Sequence, residues 1–370
     1  MIATKPRFIG SGKRALAHYA EILTEDLVRQ DEGLGGREAL LIGIQGSGKT
    51  TLLLKILLKT WENGEIVLWR GRTLEQVHML PNWKEKCRFF HYEGDNFRMY
   101  KIHEVEAEDI TEKLKVDTYK NARDLLRKIN NKYFNVIYAP WTYELNPTLV
   151  KELQRRYHIK ISKKERLSKN TNFFWHELFY ELLNRKDRRW FSLGFDELDD
   201  IFGSVVSGIE FWLLRFFKDN FRDFRKAKVS FYAAVHFASD LNWQVLSKFQ
   251  TFIYLRGAKI PSSRMVDQNL VLKLNLGQAI IDRGNFGLFE FDPLPKPPYD
   301  LKAEITPKEE KPKKRKATKS TWTAAILEIA KEEGKEKALM KLRELLENDE
   351  ISQRHYYRLR KAIMQVEGGK

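Results

Sequence analysis

Gly43-Ile44-Gln45-Gly46-Ser47-Gly48-Lys49-Thr50 fits the pattern G-x-x-x-x-G-K-[ST]. The apolar run Ala39 to Ile42 before it reads as a strand, and the stretch from Thr51 to Lys59 after it reads as a helix. Strand, glycine loop and helix in that order form the context in which the pattern binds phosphate; the bland alternative is a chance glycine turn. Gly43, Gly46, Ser47 and Gly48 let backbone N–H groups turn inward toward phosphate oxygens, and the new helix, beginning near Thr50 and Thr51, directs its positive end at them. Lys49 supplies a positive charge to the β and γ phosphates, and Thr50 a hydroxyl to Mg²⁺, so the expected cofactors are ATP and Mg²⁺.

Short apolar runs alternate with helical patterns up to residue 300: ALLIGI, EIVLWRG, CRFFHYEG, FNVIYAP, WFSLGFDE, VSFYAAVHF and TFIYLRGA. This alternation predicts an α/β domain with a mainly parallel sheet. The expected organisation is an N-terminal segment over 1–32, the P-loop domain over 33–300, a basic linker over 301–320 and a C-terminal module over 321–370. Residues 301–320 hold eight Lys or Arg against three Glu and no aromatic residue, the composition of a solvated linker. Residues 322–366 read as three helices, separated by Gly334 and by Asp349-Glu350-Ile351, with Ser352 capping the last.

The 370 residues carry 66 Lys and Arg against 50 Asp and Glu, a net charge of +16 that makes nucleic acid the first partner to test. Of that surplus +5 falls in the linker and +1 in the tail, leaving +10 on residues 1–300. A single cysteine, Cys87, excludes an internal disulfide framework and any multi-cysteine zinc site. With no signal-like N-terminus and no apolar run long enough to span a bilayer, the expected location is cytoplasmic, the host cytoplasm for a viral or plasmid-borne chain.

A second strand must bring a carboxylate to the metal, and the run from Trp190 to Phe195, ending in Asp196-Glu197, is the candidate. Asp196 would hold Mg²⁺ through water and Glu197 would polarise the attacking water; the alternative is a pair of helix-capping acids. An acid beside the metal ligand favours hydrolysis over passive nucleotide binding. The next strand, Val229 to Val235, ends on His236, either a γ-phosphate sensor or a structural histidine.

From the loop onward, over residues 38–293 in discontinuous patches, the chain resembles the HerA/FtsK superfamily of hexameric DNA-pumping ATPases, of archaeal or viral type. LIGIQGSGKTT resembles the family's phosphate loop, with Gln45 in place of the usual threonine, and WFSLGFDE resembles its strand with the terminal acidic pair. The segment Arg225 to His236 is similar to the family's strand that ends in Ala-Thr-Gln, which sets His236 on the glutamine and changes its charge and geometry. Gly257 to Met265 resembles the segment after the next strand, and Leu274 to Ile281 with Phe289 to Pro293 the closing glycine hairpin. The strand Phe252-Ile253-Tyr254-Leu255 lacks the arginine found at its start in some bacterial translocases, and 139–189 has no counterpart. The resemblance implies a RecA-like core, a homo-hexameric ring, double-stranded DNA as cargo, a nuclease, portal or capsid partner, and a trans-acting arginine. Arg264, Arg256 and Arg225 are the candidates for that arginine, in that order.

DNA has two candidate seats. Residues 151–189 carry twelve Lys or Arg, among them Arg155, Arg156, Lys163 and Lys164, and read as a flexible basic loop that follows a phosphate backbone or as a solvated face. The aromatic run from Phe173 reads as core or subunit interface. The last two tail helices resemble a helix-turn-helix, with Arg354 and Arg358 on the exposed face of the final helix; a protein-docking module is the alternative. The function these signals support is an ATP-hydrolysing ring motor that translocates or packages double-stranded DNA. Its rivals are an AAA+ replication initiator or loader, which calls for a helical lid after the core, and a nucleotide-switched DNA-binding or partition protein without motor activity.

Overall fold

Several of the apolar runs become parallel strands of one sheet because a helix crosses over between them, as between Glu38–Ile42 and Ile66–Arg70 or Phe191–Asp196 and Val229–Val235. The computed structural model describes residues 20–104, 106–168, 172–308, 326–330, 334–347 and 353–365. In chain order the strands are β1 (Glu38–Ile42), β2 (Ile66–Arg70), β3 (Leu74–Glu75), β4 (Cys87–Tyr92), β5 (Asp95–His103), β6 (Glu106–Asp109), β7 (Val116–Tyr119) and β8 (Phe134–Ile137). They continue as β9 (Tyr143–Glu144), β10 (Leu167–Ser168), β11 (Phe191–Asp196), β12 (Val229–Val235), β13 (Phe252–Leu255), β14 (Gln278–Asp282), β15 (Phe286–Glu290) and β16 (Asp300–Pro307). The longer helices are α1 (Lys49–Glu62), α2 (Ala122–Lys128), α3 (Pro147–Tyr157), α4 (Asn172–Asn184), α5 (Gly208–Lys226), α6 (Lys335–Glu347) and α7 (Gln353–Gln365).

Ten strands form the central sheet in the order β15-β14-β13-β1-β12-β11-β2-β8-β4-β7. From β13 to β7 all neighbours are parallel, and β14 and β15 add an antiparallel hairpin at one edge. The carboxyl ends of the parallel strands therefore share one edge, where ligands of open α/β sheets sit. β12 lies between β1, which feeds the phosphate loop, and β11, which ends on Asp196. The hairpin and β16 occupy the stretch where an AAA+ reading calls for a helical lid.

Both faces of the sheet are covered along its central strands β13, β1, β12 and β11, which are therefore almost wholly buried and largely apolar. Leu40, Ile42, Leu193, Phe195 and Phe231 face a layer built on α2, α3, α4 and α5; Ala39, Leu41, Trp69 and Ala234 face α1 and the segments around Val77, Met99 and Leu301. The first layer is dense in phenylalanine: Phe179 of α4 lies within 6.2 Å, ring centre to ring centre, of Phe202, Phe217, Phe224 and Phe231. The aromatic run from Phe173 is thus core. Cys87 is buried, and burial pushes its thiol pKa up, so it is an unreactive packing residue.

Two boundaries differ from the sequence reading. The first residues of the expected linker form a strand: Asp300–Pro307 is β16, whose alternating Leu301 and Ala303 are buried in a four-stranded antiparallel sheet of order β3-β16-β5-β6. Its charge masked a period-2 pattern. The basic stretch expected as a loop begins in a helix: Asn146 caps α3 by accepting from Thr148 N, Pro147 occupies the first turn, and His158 closes it with φ 52°.

The chain divides into two units, 1–308 and 309–370. In the second, residues 326–330 are helical, and Ile326, Ala330, Ala338, Leu342, Leu345, Leu359 and Ile363 of that segment, α6 and α7 form its core. Gly334 has φ 94°. Ser352 and 309–325 lie outside the described residues.

Candidate nucleotide site

Gly46 and Gly48 turn the chain from β1 into α1 with φ 74° and 93°, conformations that favour glycine. A Cβ at Gly43 would stand 2.6 Å from Ser47 Oγ and 3.0 Å from Leu255 Cβ, so the loop turns tightly over the tip of β13. Gln45 and Gly46 are exposed at the crest, whereas Ser47 is buried with its hydroxyl unpaired. Such a loop at a helix start presents N–H groups to an anion.

Lys49 lies beneath this loop. Its Nζ donates to Gly43 O at 2.7 Å and Ile44 O at 3.0 Å, and it stands 3.2 Å from His236 Nδ1. Burial lowers the lysine pKa, against the opposing charges of Asp196 and Glu197. One residue on, Thr50 Oγ1 donates to Asp196 Oδ2 at 2.9 Å. Asp196 is buried at the end of β11, and burial raises its pKa against the Thr50 hydrogen bond and the Arg72 charge.

Glu197 turns out of β11 with φ 60° and ψ 69°, left-handed for a non-glycine residue. Arg70, at the end of β2, holds that turn: its Nη1 donates to Asp196 O at 3.1 Å and Glu197 O at 3.0 Å, and its Nη2 to Asp200 Oδ2 at 2.7 Å. Arg72 pairs with Glu197 Oε2, and His236 Nε2 stands 3.7 Å from Oε1. Burial pushes the Glu197 carboxyl up, but Arg72, His236 and Arg70 outweigh it and leave its pKa lowered. The base candidate is therefore an ionised, oriented carboxylate, and the capping alternative loses its geometric support, since no Glu197 side-chain cap exists.

These groups open onto a cleft of about 1150 Å³. The fold is that of a RecA-like P-loop NTPase. The P-loop core thus combines phosphate loop, acidic pair and an intervening polar strand tip at one edge of the sheet. The donor set suits Mg²⁺: one hydroxyl and one carboxylate are hard oxygen ligands, and this ion takes its remaining positions from phosphates and water.

No family model and no curated protein matches the sequence. Among solved structures the P-loop core is similar to the genome packaging NTPase B204 from Sulfolobus turreted icosahedral virus 2 in complex with sulfate, at 11% identity and TM-score 0.40, covering 71% of this chain and 99% of that one. It is similar to the bacterial conjugative coupling protein TrwBdeltaN70, at 10% identity and TM-score 0.44, over 75% and 94% of the two chains. VirB4 of Thermoanaerobacter pseudethanolicus matches at 10% identity and TM-score 0.43, over 73% and 92%. At such identities the likeness concerns fold alone, and the site stands on its own residues.

The remaining expected residues are dispersed. Arg264 lies over the Phe252 ring at 4.1 Å and 3.7 Å from Asp282, engaged within its own chain. Arg225 donates to Gly36 O and Leu34 O, at the edge opposite the phosphate loop. Arg256 is exposed directly after β13, at the phosphate-loop edge. Arg155 pairs with Glu152, Arg156 donates to Asn220 and lies over Phe216, and Lys163 and Lys164 are exposed. Arg358 is exposed on α7, and the side chain of Arg354 lies outside the description. Arg70 and Arg72 escaped sequence reading, because nothing local to EIVLWRGR says that β2 will lie next to β11. Among the described residues no helix is long and apolar enough to cross a membrane.

Proposed function

We propose that this chain is an ATP-hydrolysing motor that translocates or packages double-stranded DNA as a homo-hexameric ring. The observation that carries the enzymatic half is the convergence of Lys49, Thr50, Asp196, Glu197 and His236 at one strand edge. Backbone N–H groups of Gly43 to Thr51 bind the phosphates, and Lys49 exchanges its loop carbonyls for β and γ oxygens. Thr50 and Asp196 would hold Mg²⁺, which would neutralise the charge that develops as the γ phosphate is transferred. Glu197, turned by Arg70 and Arg72, accepts a proton from the attacking water as its oxygen approaches the γ phosphorus in line with the leaving ADP oxygen. His236, within reach of both Lys49 and Glu197, senses whether the γ phosphate is present.

The DNA half is supported by the +16 charge, most of it on the P-loop core, and by the motif resemblance. Of the three arginines, Arg256 is best placed to act on a neighbour's nucleotide, being exposed at the phosphate-loop edge. The helix-capped Arg155 and Arg156 with Lys163 and Lys164 form the backbone-gripping surface, and α7 with Arg354 and Arg358 a second contact. ATP turnover measured against duplex length tests the reading. A motor shows turnover that rises with long duplex DNA and is abolished in Glu197→Gln; slow turnover indifferent to DNA length would leave a nucleotide switch instead.

A further inference from the structure

Glu75 is a buried acid, only 1% exposed, beneath the turn that leaves β2. Its Oε1 accepts from Trp69 Nε1 at 2.9 Å, Gln76 N at 2.8 Å and Val77 N at 3.1 Å; its Oε2 accepts from Tyr138 OH at 2.8 Å and, at 3.4 Å, from Arg72 N. Four of the five partners are N–H groups that can only donate, so both carboxyl oxygens are held as acceptors. Burial raises its pKa, and these same hydrogen bonds oppose the rise without cancelling it. An acid is an expensive filling for such a position when an apolar side chain would pack there, so its retention calls for a positional role.

The turn above it is fastened on two sides. Gly71 lies against the Tyr138 ring so closely that a Cβ there would meet Tyr138 Cε1 at 2.6 Å. On the outer side Ala303 N donates to Thr73 O at 2.8 Å, and β3 pairs with β16 through Glu75 opposite Leu301. Arg72, the partner of Glu197, is among the side chains that leave this turn for the cleft.

We infer that Glu75 is a positioning residue for hydrolysis, its buried carboxylate fixing the Arg70 to Glu75 turn so that Arg72 holds the Glu197 carboxylate in one orientation. The inference rests on the reading of Glu197 as the base. Glu75 touches neither the phosphate loop nor Asp196, so its action runs through Arg72 and leaves nucleotide affinity alone.

The test is a double-mutant cycle in the full chain, read by single-turnover ATP hydrolysis, nucleotide titration and thermal melting. Glu75→Gln keeps the side-chain shape, and Tyr138→Phe removes one hydroxyl donor should the first variant not fold. Each is expected to slow hydrolysis, Glu75→Gln by about tenfold, with nucleotide Kd changed less than about twofold, and neither to slow Arg72→Ala by more than about twofold further. Losses that add to that of Arg72→Ala, or that appear in Kd instead of the rate, would overturn the inference. Glu197→Gln separates the two claims: if it is inactive while the cycle is additive, only the positioning role fails, and if it retains turnover, the base reading and this inference fall together.

Discussion

Thr50 Oγ1 donates a 2.9 Å hydrogen bond to Asp196 Oδ2, joining the helix after the phosphate loop to a strand end 146 residues away. The contact exists because only β12 separates β1 from β11, and α1 crosses over that gap. Asp196→Asn keeps the hydrogen-bonding shape but removes the charge a divalent ion needs. We expect it to weaken ATP binding in Mg²⁺ by about tenfold or more, while binding measured with excess chelator stays at the wild-type level. Equal loss with and without Mg²⁺ would show that Asp196 serves the loop and not the ion.

Gly48 sits at φ 93° with the Phe291 ring 3.3 Å from where a Cβ would stand. Gly48→Ala therefore strains the loop by roughly 1–2 kcal/mol, and relaxation turns its N–H groups away from the phosphates. The expected result is a nucleotide Kd raised about tenfold with far-UV circular dichroism unchanged. An unaltered Kd would mean that the loop binds phosphate without this geometry.

His176 of α4 is buried edge-to-face among Phe179 and Phe202, and burial drives its pKa down to about 3 from 6.5. The unfolded chain binds this proton more readily than the folded one. Its contribution to stability is therefore intact above pH 6.5 and lost as pH falls from 6.5 toward 3, by up to about 1.4 kcal/mol per pH unit. His176→Phe should show a smaller drop in Tm than wild type between pH 7 and pH 5. Parallel Tm curves for the two proteins would place the acid sensitivity elsewhere.

Neutralising Arg155, Arg156, Lys163 and Lys164 together should flatten the dependence of DNA affinity on salt, whereas deleting residues 321–370 should change that slope little. Arg155 and Arg156 are already engaged, with Glu152 and with Asn220 and Phe216, so the lysine pair is expected to carry more of the effect. A slope that follows the C-terminal deletion instead would assign DNA contact to α7.

Most of the sheet was legible in the sequence because its central strands are buried on both faces and read as continuous apolar runs; the strand from Phe191 ending on Asp196 is one such run, whereas the edge strand β7, Val116–Tyr119, is half-buried and gave no such run. The phosphate loop was legible because its chemistry is local to eight residues. β16 was not, since its exposed Lys302 and Glu304 alternate with buried Leu301 and Ala303 inside a stretch whose charge suggests a linker. Arg72 was invisible for a different reason: its meaning depends on β2 lying beside β11, a long-range pairing that no local pattern encodes.

Displacement of a third strand from a triplex on long duplex DNA tests the central claim most directly. The wild-type protein with ATP should displace it, and Glu197→Gln, or the wild type with a non-hydrolysable analogue, should not. Wild-type protein that hydrolyses ATP on duplex DNA yet leaves the triplex in place would contradict the motor.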